Sequence, residues 1–168
     1  MKRVSRRKLL VAGGLLALGG VVALVRSTGY VVPDGTKLTS LEPWQWLVVR
    51  DLARRVCAAD APNVVNPDSV DVAGFVDGYA AKMPPKQRRD LFRFLRFVEQ
   101  LAPAAKGHAS RFTRLAPEDQ DSVLESLESN SNDLLRGGFD AVKSLLFMGY
   151  YRDPRTWTIL GYEGPRVP

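Results

Sequence analysis

Apolar side chains recur at the 3.6-residue spacing of an α-helix in five successive stretches of the chain. They predict helices over about 40–59, 70–83, 85–105, 117–128 and 133–148. Segments rich in proline, asparagine and glycine separate these stretches, as expected for turns between helices. The expected fold class is therefore all-α, a single small bundle of about five helices.

The first predicted helix is amphipathic, with two clearly separated faces. Its apolar arc comprises Trp46, Val48, Val49, Leu52, Ala53 and Val56. Its polar arc comprises Arg50, Asp51, Arg54 and Arg55. Cys57 falls at the edge of the apolar arc, from where its thiol could reach either the core or a neighbouring protein.

The third predicted helix has the strongest pattern. Its apolar face carries Leu91, Phe94, Leu95, Phe97, Val98, Leu101 and Ala102. Its opposite face carries a basic stripe of Lys86, Arg89, Arg93 and Arg96. Nine basic residues and two acids lie in 82–114, whereas 117–140 holds seven acids and one arginine. This contrast favours neighbouring segments of complementary charge, and it leaves open a patch for phospholipid or an acidic partner.

The fifth predicted helix faces the core through Leu135, Phe139, Val142 and Leu146. Gly137-Gly138 lowers its helix propensity and indicates close approach of another backbone. Gly149 is the expected C-cap.

An irregular aromatic tail follows the fifth helix. It carries Tyr150, Tyr151, Trp157 and Tyr162 without sustained periodicity. Such a segment is stable only if its rings are buried, either against the domain's own helices or against a second subunit. The residues alone leave both alternatives open.

The N-terminal region has the pattern of an export signal. The run SRRKLL at 5–10 enters an apolar and glycine-rich segment, 9–25. The pair Arg6 and Arg7 just ahead of such a segment is typical of the twin-arginine route, which carries folded proteins. The alternatives are an ordinary secretory signal or a membrane anchor, since as a helix the segment would cover about 25 Å. The predicted organisation is a signal or anchor helix at 1–26, a linker at 27–40 and a helical domain at 41–168.

The net charge of +6 belongs to the signal region and not to the body of the protein. Six basic residues and no acid precede Ser27, which leaves 18 basic residues against 18 acidic ones. A neutral body gives nucleic-acid binding no electrostatic support.

The sequence also lacks recognisable reactive chemistry. Cys57 is the one cysteine, which excludes an internal disulfide but leaves a bond to another protein open. His108 is the one histidine and lies in a predicted loop. No dinucleotide-binding, haem-attachment or metal-ligand motif is present. We therefore expect no catalytic residue, bound cofactor or metal in this chain.

Several of these features together resemble the gluconate 2-dehydrogenase subunit 3 family. They are the twin-arginine signal, the 41–60 helix leading into an Asp-Ala-Pro loop, the FTRL run at 112–115, and the pair GYYRDP at 149–154 and LGYEGP at 160–165. The resemblance covers most of residues 38–166, and the C-terminal pair is its specific part.

The resemblance implies an accessory role. Members are small helical subunits of periplasmic or membrane-bound dehydrogenases, whose partner is an FAD-containing flavoprotein of the glucose-methanol-choline type, often joined by a cytochrome c subunit. The small subunit supplies the export signal, here Arg6 and Arg7, and helps the flavoprotein fold. We expect this chain to be such a non-catalytic subunit, to engage the twin-arginine translocase, and to work in the periplasm or on the periplasmic face of the inner membrane. The expected partner contacts are Tyr150, Tyr151, Trp157, Tyr162 and Cys57.

An alternative from another class is a stand-alone, membrane-tethered helical module. It would bind lipid or envelope components through the basic stripe on the third helix. An independent hydrolase or metal enzyme has almost no residues to support it.

Overall fold

The computed structural model describes residues 29–57 and 64–164. These residues form six α-helices: α1 Pro43–Val56, α2 Val72–Lys82, α3 Pro85–Gln100, α4 Ala102–Ala105, α5 Pro117–Glu128 and α6 Asp133–Tyr151. Three 3₁₀ helices cover Pro67–Val70, Phe112–Arg114 and Pro154–Leu160. No strand occurs in the described ranges, and the all-α prediction is confirmed. The predicted signal at 1–26, with Arg6 and Arg7, lies outside these residues.

Helix α1 is central, because it packs against α2, α3 and α6. Its apolar arc is buried as predicted except at Val56, which is half-buried, and Val48 and Leu52 have no exposed surface. Pro43 occupies the first turn, and the Gln45 side chain accepts a hydrogen bond from the Glu42 backbone N–H at 2.7 Å. This reciprocal capping arrangement explains why the helix begins there.

The segment ahead of α1 is fastened to α2 by one carboxylate. Buried Asp77 accepts backbone N–H bonds from Thr39 at 2.6 Å, Ser40 at 2.8 Å and Leu41 at 2.6 Å. Burial raises the pKa of Asp77, but the three donors together outweigh burial and leave that pKa below its usual value. The contact fixes where the chain enters the bundle.

Helices α5 and α6 complete the core. The predicted apolar positions of α5, Val123, Leu124 and Leu127, are all buried. Its first turn contains Pro117 and two acids, which suits a helix N-terminus. The described side-chain contacts between α1 and α5 include a hydrogen bond from Arg55 Nε to Asp121 at 2.6 Å.

The first and third predicted helices each contain a residue whose predicted environment is wrong. Asp51, expected on the polar arc, is buried, and burial raises its pKa although the Arg50 guanidinium lies 2.8 Å away. Leu101, expected on the apolar face, is 59% exposed. The predicted 85–105 helix breaks there into α3 and α4, since Pro103 in the next turn provides no backbone N–H.

The end of α6 also differs from the prediction. Gly149 is not the C-cap, because α6 continues through it to Tyr151. A Cβ on Gly149 would come within 2.8 Å of the Phe75 ring and 3.2 Å of the Val72 side chain. The glycine therefore permits close packing of α6 on α2. The tail beyond it is partly regular, with the 3₁₀ helix Pro154–Leu160.

Candidate functional site

The GYYRDP motif is folded against the chain that precedes α2. Tyr150 is 1% exposed, and its hydroxyl donates a hydrogen bond to the Val65 carbonyl at 2.8 Å. Burial is the main reason why the pKa of Tyr150 is raised. This ring is thus a core residue of the subunit itself.

The charged part of the motif holds the 3₁₀ helix Pro67–Val70. Arg152 donates to the Val70 carbonyl at 3.1 Å, and Arg155, just beyond the motif, donates to the Ser69 carbonyl at 2.9 Å. Hydrogen bonds from the Arg155 side chain and backbone hold the pKa of Asp153 down at about 2. The arginines thereby supply donors to carbonyl groups that lie outside α-helices.

The LGYEGP motif folds back onto Trp157. The indole N–H donates to the Tyr151 carbonyl at 2.7 Å, and the Tyr162 ring lies edge-on with its centroid 5.2 Å away. Gly161 (φ +62°) turns the chain, and Gly164 (φ +107°) lies against the indole, where a Cβ would be 3.2 Å from the ring. Both glycines adopt backbone conformations that other residues rarely take.

The predicted partner contacts therefore differ in accessibility. Cys57 is 6% exposed, and burial raises the pKa of its thiol to about 12, so it is a poor nucleophile. Tyr150 is equally enclosed. Tyr151 and Trp157 are half-buried, and Tyr162 is 48% exposed. Contact of these residues with a partner stays a prediction. The accessible rings of Tyr151, Trp157 and Tyr162 fit it better than the buried Cys57 and Tyr150 do.

An apolar groove that the sequence pattern did not predict lies between α2 and α3 on one side and α6 on the other. Its volume is about 710 Å³. Tyr79, Leu134 and Met148 in its lining are 40%, 81% and 51% exposed. Exposed apolar side chains that share one concavity are typical of a binding surface.

The groove arises because the apolar arc of α3 is wider than the core requires. Leu95 and Val98 are buried, whereas Phe94 and Phe97 are half-buried and line the groove. On α6, Gly138 leaves room for the Phe94 ring, which a Cβ would approach to 2.7 Å. The Gly137-Gly138 pair thus admits a side chain at its second position, not the close backbone that the sequence predicted.

A signal for the groove existed in the sequence. Leu134, Ala141 and Met148 recur at intervals of seven residues, which places them on one face of α6 beside its core face. All three are exposed. This seven-residue spacing is less conspicuous than the pattern of core residues on the same helix.

The basic stripe on α3 meets the groove at Arg93, which lines it beside Asp90. Lys86, Arg89, Arg93 and Arg96 are all exposed, as the predicted stripe requires. Arg93 lies 3.5 Å from Asp90 of its own helix, and Arg96 lies over the Trp44 ring at 5.6 Å. The described ion pairs of the acidic 117–140 segment involve other cations, such as Lys143 with Glu128 at 2.5 Å. The stripe therefore faces solvent.

The FTRL run has an identifiable structural role. Buried Glu99 accepts hydrogen bonds from the Thr113 backbone at 3.1 Å and from its hydroxyl at 2.8 Å. The buried Arg111 guanidinium lies 3.3 Å from the same carboxylate. These polar groups fix the turn ahead of α5.

Reactive groups are sparse in the part of the chain that the structure covers. Within 29–57 and 64–164, no group of three His, Cys, Asp or Glu residues could hold a metal ion. His108 Nδ1 lies 4.0 Å from Asp119. No helix in those ranges is long and apolar enough to cross a membrane.

The described residues form a small all-α protein with an exposed apolar groove and a C-terminal tail folded onto its own helices. Residues 43–164 match the family described as gluconate 2-dehydrogenase subunit 3, and the chain belongs to that family. The match spans the FTRL and GYYRDP runs and ends within LGYEGP. The family description denotes a subunit of a multi-subunit dehydrogenase. Neither a curated protein nor a solved structure matches the chain.

Proposed function

We propose that this chain is the non-catalytic small subunit of an FAD-dependent sugar or alcohol dehydrogenase. It escorts the flavoprotein through the twin-arginine translocase and stays bound to it in the periplasm or at the periplasmic face of the inner membrane. The FAD belongs to the flavoprotein, and a cytochrome c subunit completes the electron path. Family membership over residues 43–164 is the observation that carries this proposal.

Two further observations support it. The run SRRKLL places Arg6 and Arg7 directly ahead of an apolar segment, as export of a folded cargo requires. The apolar groove and the exposed Tyr162 ring leave hydrophobic surface in water, which a permanent partner would cover.

Exchange of the arginine pair tests the escort role. In Arg6→Lys/Arg7→Lys, the dehydrogenase activity should remain in the cytoplasm and be lost from the periplasmic fraction. Arg3→Lys is the matched control, since it makes the same change outside the pair and should leave the distribution unchanged. Normal periplasmic activity in the double variant would contradict the escort role.

Purification tests the assembly. The tagged full-length chain, isolated from the cell envelope, should carry an equimolar protein with the absorbance of oxidised flavin near 450 nm. A colourless and solitary chain that is fully stable would refute the proposed function.

A second candidate is the membrane-tethered module, which the exposure of the basic stripe favours. It predicts that the chain without a partner binds vesicles of anionic phospholipid and that Arg89→Glu/Arg93→Glu abolishes this binding. Absence of vesicle binding by the wild-type chain would eliminate it.

A further inference from the structure

We propose that the groove between α3 and α6 is the docking site of the dehydrogenase subunit, and that its occupant is one amphipathic helix of that subunit. The helix would lay an apolar ridge into the groove and acidic side chains along the basic stripe. This inference rests on the proposed function, because it specifies where and how the partner binds.

The shape of the site favours a helix. The row Leu134, Ala141 and Met148 extends over 14 residues of α6, about 21 Å or four turns. Ala141 at its centre is small and exposed, so a second backbone can approach closely there. A helix with apolar residues at intervals of three and four fits a channel of this length.

The same shape argues against two other occupants. A second copy docked groove to groove would bring two concave surfaces together and leave a void between them, which costs packing energy. A bilayer is flat or convex on this scale, so the recessed Phe94 and Gly138 could not reach it. A convex ridge is the complement that the groove requires.

The basic residues of α3 predict which side chains of the incoming helix border its apolar ridge. Arg93 lines the groove, and Arg89 and Lys86, about one and two turns earlier on α3, continue the exposed basic stripe from it. In the described part of the chain, no acid of another helix forms an ion pair with them. Aspartate or glutamate on the facing side of the incoming helix would therefore complement them and fix its orientation.

The internal role of the tail strengthens the case for the groove. Tyr150 and the Trp157 indole N–H both make hydrogen bonds inside the subunit. Two apolar positions of the groove, Leu134 and Met148, are more exposed than Tyr162. The groove therefore offers a partner more unengaged apolar surface than the aromatic tail does.

Paired substitutions test the site on the native complex. Leu134→Glu/Met148→Glu should raise the dissociation constant for the copurifying flavoprotein at least about tenfold, because it would place two carboxylates in apolar positions that the incoming helix covers. Val31→Glu is the control, an equally polar change at a residue 79% exposed and outside the groove lining. Retained binding in the double variant would overturn the inference, while copurification with the wild-type chain would leave the proposed function intact.

A second pair of variants tests the site even if the first double variant fails to fold. Arg89→Glu/Arg93→Glu changes exposed side chains and should weaken binding by slowing association, whereas Lys37→Glu/Lys106→Glu should not. Circular dichroism and the thermal midpoint confirm that each variant is folded. Equal association rates for the two double variants would overturn the proposed acidic flank.

Cross-linking identifies the occupant. A benzophenone maleimide attached to Met148→Cys labels that site alone, since Cys57 is enclosed. Irradiation of the complex should capture a flavoprotein peptide with apolar residues at intervals of three and four and acids beside them. Capture of a second copy of this chain, or of lipid, would overturn the inference. Failure of any flavoprotein to copurify before irradiation would refute the proposed function itself.

Discussion

Asp77 shows how one carboxylate organises several residues that are distant in sequence. It lies on α2 and accepts three consecutive backbone N–H groups that belong to the entry segment of α1. Charged acceptors make stronger hydrogen bonds than neutral ones, so ionised Asp77 stabilises the fold more than a protonated carboxyl would.

Replacement of this carboxylate has a defined pH dependence. Asp77→Asn should lower the free energy of unfolding by about 2 kcal/mol at neutral pH. The pKa of Asp77 is lowered on folding, so this contribution is complete above the unfolded pKa of about 4 and is lost as the pH falls through the folded value. Urea denaturation at pH 7 and near pH 3 measures the difference between wild type and variant, which should shrink in acid. Asp34→Asn, at an exposed turn, is the control, and an effect of equal size there would contradict the prediction.

Two glycines of α6 give a matched pair with opposite expected signs. Gly149→Ala should destabilise the protein by about 1–3 kcal/mol, since its Cβ would overlap the Phe75 ring. Gly137→Ala meets no atom within 4 Å and should stabilise it by about 0.5–1 kcal/mol through helix propensity. Thermal unfolding of both variants is the measurement. Stabilisation by Gly149→Ala would show that the tight contact at Gly149 relaxes without cost, and destabilisation by Gly137→Ala would contradict the propensity argument.

At the scale of the elements, the GYYRDP motif is a clasp between the end of α6 and the segment ahead of α2. Tyr150→Phe removes the hydroxyl that donates to Val65 and should cost about 1 kcal/mol of stability. Tyr151→Phe is the control, because its hydroxyl has no hydrogen-bond partner in the described structure. Denaturant unfolding compares the two, and an equal loss in both would argue against the clasp.

The helices themselves were predictable because their apolar periods are strong. The core faces of α1 and α5 followed directly from residues such as Leu52 and Val123. The end of α6 was not predictable, since a glycine is equally compatible with a cap and with a close helix contact, and only the position of Phe75 decides between them. Asp51 was wrongly predicted to be exposed, because its position on the helix falls among the polar residues of α1. Its burial depends on tertiary packing, which the helical period does not show.

The site was less accessible to sequence reasoning than the fold. The aperiodic aromatic pattern left open whether Tyr150 would be enclosed by the subunit's own helices or by a partner, because its acceptor at Val65 lies 85 residues away. The groove was not predicted, because leucine and methionine, found here at 134 and 148, are residue types that are usually buried in the core. Whether such a residue is covered depends on how many neighbouring helices are present, which a local period does not reveal.

At the scale of the whole molecule, the net charge is +6, and the part of the chain after residue 26 is neutral in sum but unevenly charged. The basic stripe lies on α3, whereas α5 and the first half of α6 carry most of the acids of the 117–140 segment. Such a distribution steers a charged partner even when the net charge vanishes.

This distribution predicts a salt dependence of assembly. The association rate of the wild-type chain with the proposed flavoprotein partner should fall by about tenfold or more between low and high salt, because ions screen long-range attraction. In Arg89→Glu/Arg93→Glu the dependence should flatten or reverse sign. Stopped-flow measurements over a salt series provide the rates. An identical salt dependence in wild type and variant would exclude steering by the stripe.

The attachment at Asp77 also determines how the body responds to mechanical load. Tension applied to the chain ahead of Thr39 reaches three parallel hydrogen bonds before it reaches the first turn of α1. These three bonds transmit the force to Asp77 on α2, so the force does not unwind α1 from its N-terminus. In the export proposed above, a pull on the N-terminal segment would thus reach α2 before it reaches the first turn of α1.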